Sequence, residues 1–381
     1  MRSVAAIGIG QTEIGEHWDK SLKEITGEAI FAAVQDCGID RIDGLYIGNM
    51  MSASANKQQN LGAYITDWIG AKNVSALRLE SACSSGSAAF RAAAIAVASG
   101  EVDIALAVGV EKMTDSPSSE ITSSLATAAS ADWEVDQGLS FVALNALLMQ
   151  RYMHETGWQH EDFANFSINA HQNGINNPFA RFQMPLTRER YNTSPMICAP
   201  INLMDSSPIG DGAAAIILVP ADMVQGKIIR VAASTAATDT IAVHDRKDPT
   251  WLTAAERSSK KAYAQAGIDP GDIDFFEYHD AFTIMATLSL EACGFAERGK
   301  CPQMALDGDI RLDGKLPVAT MGGLKARGHP VGATGMYQLI EVIQQLRGTA
   351  GKNQLENAHI GMAQNIGGSG SNIITHILRN D

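Results

Sequence analysis

The chain has no surplus of positive charge, no paired-cysteine spacing and no long apolar run. Its 29 Lys and Arg are outnumbered by 42 Asp and Glu, a formal charge of -13 over 381 residues. Phosphate backbones need a basic face, so nucleic acid is excluded as the main partner, though a local basic pocket for an anionic cofactor is not. The five cysteines, Cys37, Cys83, Cys198, Cys293 and Cys301, are odd in number and irregularly spaced, without a CxxC. That pattern supports neither a disulfide framework nor a zinc site, and it fits a reducing cytoplasm. No charge-free apolar stretch reaches about 18 residues, so no membrane span is expected. The opening MRSVAAIGIGQTEIG is a short apolar run broken by glycines, and reads as a first strand rather than a secretory signal.

Other signatures fail by a residue. GIGQTE (8–13) starts like a dinucleotide fingerprint but has Glu13 where the third glycine belongs. GGSGS (367–371) misses the serine-nucleophile elbow, because Ser371 stands at the final glycine position. His154 and His160 are six apart, off one helical face and without a carboxylate cluster, so no metal is expected there.

What is present is alternation. Hydrophobic residues make up 45% and charged residues 19%, as in a globular enzyme. VAAIGIG is followed by the helical LKEITGEAIFAAVQDCG and the strand-like GLYIGN. GSAAFRAAAIAVASG reads as a helix ending at Gly100, and DIALAVGV as a strand buried on both faces. This order predicts an α/β fold with helices on both sides of the strands. The plan then repeats. EAIFAAVQDCGIDRIDGLYIGN (28–49) matches RSSKKAYAQAGIDPGDIDFFEYHD (257–280), and Cys83–helix–strand is echoed by GHPVGATGMYQLIEVIQQLRG and HIGMAQNIGGSG. Two matches in one order predict an internal duplication. The Ser/Thr-rich stretch from 114, the amphipathic FVALNALLMQRYMHETG and EDFANFSINAHQNGI, and the basic PFARFQMPLTRERY interrupt the first half. The expected division is 1–113 with 201–227 as the N-terminal half, 114–200 as an inserted loop domain, and 228–381 as the C-terminal half.

Four places could carry chemistry. Cys83, in SACSSGSAAF (81–90), precedes a helix whose unpaired N–H groups would favour a thiolate, and its small neighbours would give a substrate carbonyl room. A small buried filler is the other reading. His329, in GGLKARGHPVGATG (322–335), is either a base for a thiol or a turn residue, with Gly332 and Gly335 admitting ligand or backbone. His279 in EYHDAFT follows a buried strand, and either donates to an oxyanion or pairs with solvent; Asp280 is expected to cap the next helix. NIGGSGSN (365–372) is a glycine turn that either lines an oxyanion hole or simply bends. Arg181, Arg188 and Arg190 are candidates for anionic substrate groups or an ordinary solvated loop.

This set resembles the thiolase superfamily, and the likeness runs from SACSSGSAAF through GVEKMTD, SPIGDGAAAIIL (207–218) and GGLKARGHPVGATG to NIGGSGS. The resemblance implies a duplicated five-layered αβαβα thiolase fold with an inserted loop domain, assembled as a homodimer or homotetramer. It implies acyl transfer between coenzyme A thioesters, without a bound cofactor. Cys83 would be the acyl-carrying nucleophile, activated by His329. The backbone N–H groups of Cys83 and Gly367 would form the acyl oxyanion hole, and His279 and His329 would hold the oxygen of the second thioester. The sequence departs from the common pattern twice. Asn365 and Ala281 stand where the branches of the family keep a second cysteine, and Cys293 and Cys301 match no catalytic motif. HDAFT without a terminal cysteine looks most like archaeal-type acetyl-CoA C-acetyltransferases and the sterol-carrier-type branch. Those imply acetoacetyl-CoA as product, a role in lipid metabolism through the mevalonate pathway, and a complex with hydroxymethylglutaryl-CoA synthase and a small zinc-ribbon/OB-fold protein. The missing cysteine keeps two alternatives in view: a carbon–carbon lyase or thiolase of longer acyl-CoA, and a catalytically degenerate acyl-CoA-binding scaffold.

Overall fold

A computed structural model describes residues 2–380. The first half contains β1 (Val4–Gln11), α1 (Leu22–Cys37), β2 (Gly44–Gly48), α2 (Leu61–Trp68), β3 (Ser75–Leu79), α3 (Ser85–Ser99) and β4 (Ala105–Glu111). Helices α4 (Phe141–Thr156) and α5 (Ala164–Gly174) intervene before β5 (Gly212–Pro220). The second half holds β6 (Ile229–Thr238), α6 (Thr253–Ala266), β7 (Phe275–Glu277), α7 (Thr283–Ala292), α8 (Thr334–Arg347), β8 (Ile360–Gly367) and β9 (Asn372–Asn380).

Local chemistry sets the ends of these elements. Ser21 and Glu24 close a capping box at the start of α1, with Ser21 N–H donating to Glu24 Oε2 at 2.8 Å. Helix α3 stops at Gly100, as expected, with a left-handed φ of 88°. The apolar chain start forms β1, in the middle of the sheet.

Among the described residues nine strands hydrogen-bond in the order β3-β2-β4-β5-β1-β6-β9-β8-β7. Strand β2 runs parallel to β4, β4 antiparallel to β5, and β5 antiparallel to β1. The second half repeats this: β7 is parallel to β8, β8 antiparallel to β9, and β9 antiparallel to β6. The duplication legible in the sequence is therefore a repeat of strand order and direction, with β3 as an addition to the first half. The halves share one ladder only where Ala5 and Ala6 pair with Arg230 and Ile229.

Three apolar clusters define the layers. Ile25, Ile30 and Ile65 of α1 and α2 cover one face of the first half-sheet at Ile47, Val108 and Ile217. Phe90 and Val97 of α3 join Leu339 and Ile343 of α8 between the half-sheets, touching Ile216 on one side and Phe275 and Leu378 on the other. Ala255 and Ala262 of α6 and Ile284 and Leu288 of α7 cover the far face of the second half-sheet at Phe276, Met362 and Ile377. Helix, sheet, helix, sheet, helix is the five-layered α/β arrangement that the resemblance implied.

The insertion leaves the first half in sequence but packs on the second. Leu144, Leu148 and Tyr152 of α4 and Phe166 of α5 belong to the same core as α7. Burying each such side chain contributes about 1.5–3 kcal/mol, which holds the excursion over the sheet ends where the glycine loops meet.

Candidate active site

Cys83, His279 and His329 come from three distant segments and meet beside the N-terminal turns of α3 and α8. Strand β3 leads into a tight turn in which Ala82 takes φ 49°, a left-handed conformation uncommon for a residue with a Cβ. Ser84 N–H to the Ser81 carbonyl (3.0 Å) and Ser81 N–H to Ser85 Oγ (2.9 Å) fix the turn, and Cys83 lies half-buried just before the helix.

The small neighbours of Cys83 turn out to have another use than substrate clearance. A Cβ on Gly86 would stand 2.8 Å from the Gly332 carbonyl oxygen, and one on Gly335 would stand 2.6 Å from Ser87 N. A Cβ on Gly48 would come within 2.3 Å of the Ser85 carbonyl. Gly332 and Gly335, expected to admit ligand or backbone, admit backbone: the first turns of α3 and α8 touch.

The thiol is not a resting thiolate either. Burial, and then the Glu111 carboxylate, push the Cys83 thiol up to about 12, against the opposing N–H groups of Cys83 and Gly368. The helix terminus that the sequence offered as a thiolate stabiliser is outweighed by desolvation. Burial, then Arg327, push His329 down to about 3. His279 is held well below the ordinary histidine value by burial, then by His329 and Arg327. A neutral thiol faces two neutral imidazoles. One donor atom of each lies within 4.8 Å of the others, and the two rings stand edge-on, 5.1 Å between centroids at 83°.

Hydrogen bonds give the imidazoles opposite tautomers. Thr334 Oγ1 donates to the Pro330 carbonyl at 3.2 Å, so it accepts from His329 Nδ1–H at 2.6 Å and leaves Nε2 with a free lone pair. Asn365 Nδ2 donates to His279 Nδ1 at 2.9 Å, which leaves the hydrogen of His279 on Nε2. One ring is thus set as a base and the other as a donor.

A cavity of about 220 Å³ opens in front of the three side chains, with Leu125, Phe141, Phe282, Met285 and Ile366 as its apolar wall. Gly367 lies where β8 passes so close to the cysteine turn that a Cβ would be 2.5 Å from the Ser81 carbonyl. The N–H of this turn that acts on the Cys83 sulfur belongs to the next residue, Gly368, which has φ 61°.

Other expected residues are placed elsewhere. Asp280 is not the cap of α7: Phe282 holds that position, and Asp280 Oδ1 accepts from Leu324 N–H at 2.7 Å, tying the His279 strand end to the glycine-rich turn. The three arginines lie outside the cavity wall. Arg181 pairs with Glu16 at 2.7 Å, Arg188 donates to the Glu161 carbonyl and to Asn165 Oδ1, and Arg190 is exposed. His160 donates to Asp205 Oδ2 at 2.7 Å. Cys293 and Cys301 are buried in the α7 core.

The buried charges that fasten the site belong to none of the expected motif residues. Glu111 accepts from Met50 and Met51 N–H and from Gly332 N–H, joining the first half to the His329 loop. Burial pushes its carboxyl up to about 7. Arg327 and Glu341 form a 2.6 Å ion pair with almost no exposure. Lys325 Nζ donates to the Asp205 carbonyl, fixing the strip that leads into the cavity at Ser206 and Ser207. The available signal was charge where none could reach water: Glu111 ends an apolar strand, and Lys325 and Arg327 sit in a run of glycine and alanine.

Fold and site together define a duplicated α/β protein with a cysteine–histidine nucleophile centre. Residues 4–197 match the thiolase N-terminal domain, and residues 235–380 match the family described as thiolase C-terminal domain-like. The chain belongs to the thiolase family. It is 45% identical over 383 residues to an acetyl-CoA acetyltransferase of Methanothermobacter thermautotrophicus, covering 99% of this chain and 100% of the relative. An acetyl-CoA acetyltransferase of Methanocaldococcus jannaschii is 38% identical over 391 residues, with 99% of each chain covered. A solved structure described as an Ltp2-ChsH2(DUF35) aldolase shares the fold with a TM-score of 0.87 at 24% identity, covering 100% of this chain and 98% of that one. No helix among the described residues is long and apolar enough to cross a membrane.

Proposed function

We propose that the protein is an acetyl-CoA C-acetyltransferase, joining two acetyl-CoA into acetoacetyl-CoA and CoA, reversibly, through S-acetyl-Cys83. The observation that carries this reading is the Cys83–His279–His329 cluster with its two opposite tautomers, at the floor of a small closed cavity. His329 Nε2 takes the Cys83 proton as sulfur attacks the first thioester, and returns it to the departing CoA sulfur. The N–H groups of Cys83 and the Gly367–Gly368 turn receive the acyl oxygen. His329 Nε2, again free, removes a Cα proton from the second acetyl-CoA while His279 Nε2–H holds the enolate oxygen. The enolate attacks S-acetyl-Cys83, and the leaving thiolate recovers the proton from His329. One histidine thereby does the work for which relatives use a second cysteine, which is absent at Asn365 and Ala281. Coenzyme A thioesters are the only co-reactants this scheme needs.

The two relatives named as acetyl-CoA acetyltransferases support the activity, and the cavity of about 220 Å³ supports a short acyl group. A homodimer or homotetramer is supported by the uncovered edge strand β3, where Leu77 is 56% exposed. The proposal extends to cytoplasmic supply of acetoacetyl-CoA to a hydroxymethylglutaryl-CoA synthase held through a zinc-ribbon/OB-fold protein, and to the loop carrying Arg181, Arg188 and Arg190 as a contact for CoA phosphates. It also includes the division into 1–113 with 201–227, 114–200 and 228–381. Incubation with acetoacetyl-CoA and CoA tests the activity: acetyl-CoA should form, and radiolabelled acetyl-CoA should label wild-type protein but not Cys83→Ala. Full labelling of Cys83→Ala defeats the reading. The absence of a second thiol favours one rival, a carbon–carbon lyase, which would give no thiolysis in the same assay.

A further inference from the structure

We infer that Cys83, His279 and His329 also form a reversible inhibitory site for a thiophilic divalent cation of the zinc class. The cluster offers one sulfur and two imidazole nitrogens, a donor set that suits zinc better than the oxygen-seeking cations. Their donor atoms lie within 4.8 Å of one another. Around tetrahedral zinc, with bonds of about 2.0–2.3 Å, donor atoms stand roughly 3.3–3.6 Å apart, so a contraction of about 1 Å closes the set.

Three features favour closure. Both Nδ1 atoms are already engaged, by Thr334 and by Asn365, so Nε2 is the free atom on each ring. Thr334 accepting the opposite N–H is the arrangement that orients a ligating histidine. His279 reaches the same state if the Asn365 amide turns over, and its Oδ1, buried and without a partner, is free to accept Nδ1–H. Second, burial keeps both rings neutral, so protons do not compete for the nitrogens at neutral pH. Third, the buried Glu111 carboxylate, whose charge opposes a thiolate at Cys83, favours a cation there.

Binding converts the Cys83 S–H into a sulfur–metal bond and releases one proton to solvent, with no change of oxidation state. Three ligands leave a fourth position facing the cavity. What fills it rests on the proposed function: free CoA supplies a second thiolate, making a neutral S₂N₂ centre in a buried site. The coordinated sulfur cannot carry an acyl group, so the cation competes with the acyl donor.

Chelator-treated wild-type protein is titrated anaerobically with Co²⁺, and Zn²⁺ binding is followed by equilibrium dialysis. One equivalent should bind, with the sulfur-to-cobalt charge-transfer band and intense visible bands of tetrahedral cobalt. Cys83→Ser should lose the charge-transfer band, and Cys37→Ser should keep it. Thr334→Val should weaken Zn²⁺ binding roughly 10–100-fold, as removal of a partner behind a ligating histidine does. Zn²⁺ should also protect Cys83 from iodoacetamide in the wild type, a readout that needs no variant to fold. A weak octahedral spectrum, a stoichiometry unchanged in Cys83→Ser, or no protection overturns the inference. Metal binding without acetyl transfer would defeat the proposed function alone, and acetyl transfer without metal binding would defeat this inference alone.

Discussion

Asn365 Nδ2 lies 2.9 Å from His279 Nδ1, and this one contact decides which ring nitrogen of His279 carries the hydrogen. Asn365→Asp would reverse it, since a carboxylate can only accept and would draw the hydrogen to Nδ1. The enolate would then face a lone pair. Condensation and thiolysis should fall about 10²–10³-fold, the usual loss for an oxyanion donor. Release of the first CoA on acylation of Cys83 should change little. Long-range proton–nitrogen correlation spectra of histidine-labelled protein should report the exchanged tautomer.

The two histidines should separate kinetically. His329→Gln removes the base for both half-reactions, so the first acylation should slow by about 10²–10⁴-fold. His279→Gln should spare that step and slow carbon–carbon bond formation. Rapid-quench measurement of S-acetyl-Cys83, with turnover on acetoacetyl-CoA and CoA, distinguishes them; equal loss of acylation in both variants would remove the division of labour.

A thiol pushed up to about 12 sits far from a thiolate–imidazolium pair. Alkylation of the free protein by iodoacetamide should therefore keep rising from pH 7 to about 10, as expected for a thiol above the ordinary ~8.5. A plateau beginning below neutral pH would indicate a preformed ion pair. Glu111→Gln removes the nearby negative charge and should accelerate alkylation at pH 8. It should also lower stability by about 1–3 kcal/mol, because the N–H groups of Met51 and Gly332 lose a charged acceptor.

Acid should unfold the protein through its buried histidines. His329 and His376 are each pushed down to about 3, mainly by burial, and His279 moves in the same direction. Below the unfolded value of about 6.5, the unfolded chain binds protons that the folded chain refuses. Stability therefore rises with pH across this window, and is lost as pH falls from about 6.5 toward 3, by about 1.4 kcal/mol per pH unit for each such group. His376, on β9 with its ring edge-on to Phe90 at 4.9 Å, is outside the reacting cluster. His376→Phe should reduce the slope of urea-derived stability against pH by one proton, with turnover retained.

The buried Arg327–Glu341 pair holds the turn that presents His329. Arg327→Met leaves Glu341 without its partner and should cost about 3–5 kcal/mol, read from the denaturation midpoint. A double Arg327→Met/Glu341→Leu variant should recover most of it.

The alternation of apolar strands with alanine-rich helices, the duplication and the inserted segment were legible because each is a local pattern repeated along the chain. Cys83, His279 and His329 were legible because each stands in a run of unusual composition. Whether Cys83 was a nucleophile or filler was open in SACSSGSAAF, and no local feature could close it. The reason the neighbours are small lay some 250 residues away, in Gly332 and Gly335. Asp280 was misplaced as a helix cap because its partner, Leu324 N–H, is remote in sequence. Glu111, Lys325 and Arg327 were passed over because burial is a property of the packed layers.

By itself the sequence determined the order of elements and the residue types available for chemistry, since backbone preference and periodicity act over a few residues at a time. The tertiary structure decided their chemical state. Desolvation made the thiol and imidazoles neutral, and Thr334 and Asn365 turned two histidines of the same kind into a base and a donor. Proton positions depend on what surrounds a group in three dimensions, and only folding brings those surroundings together.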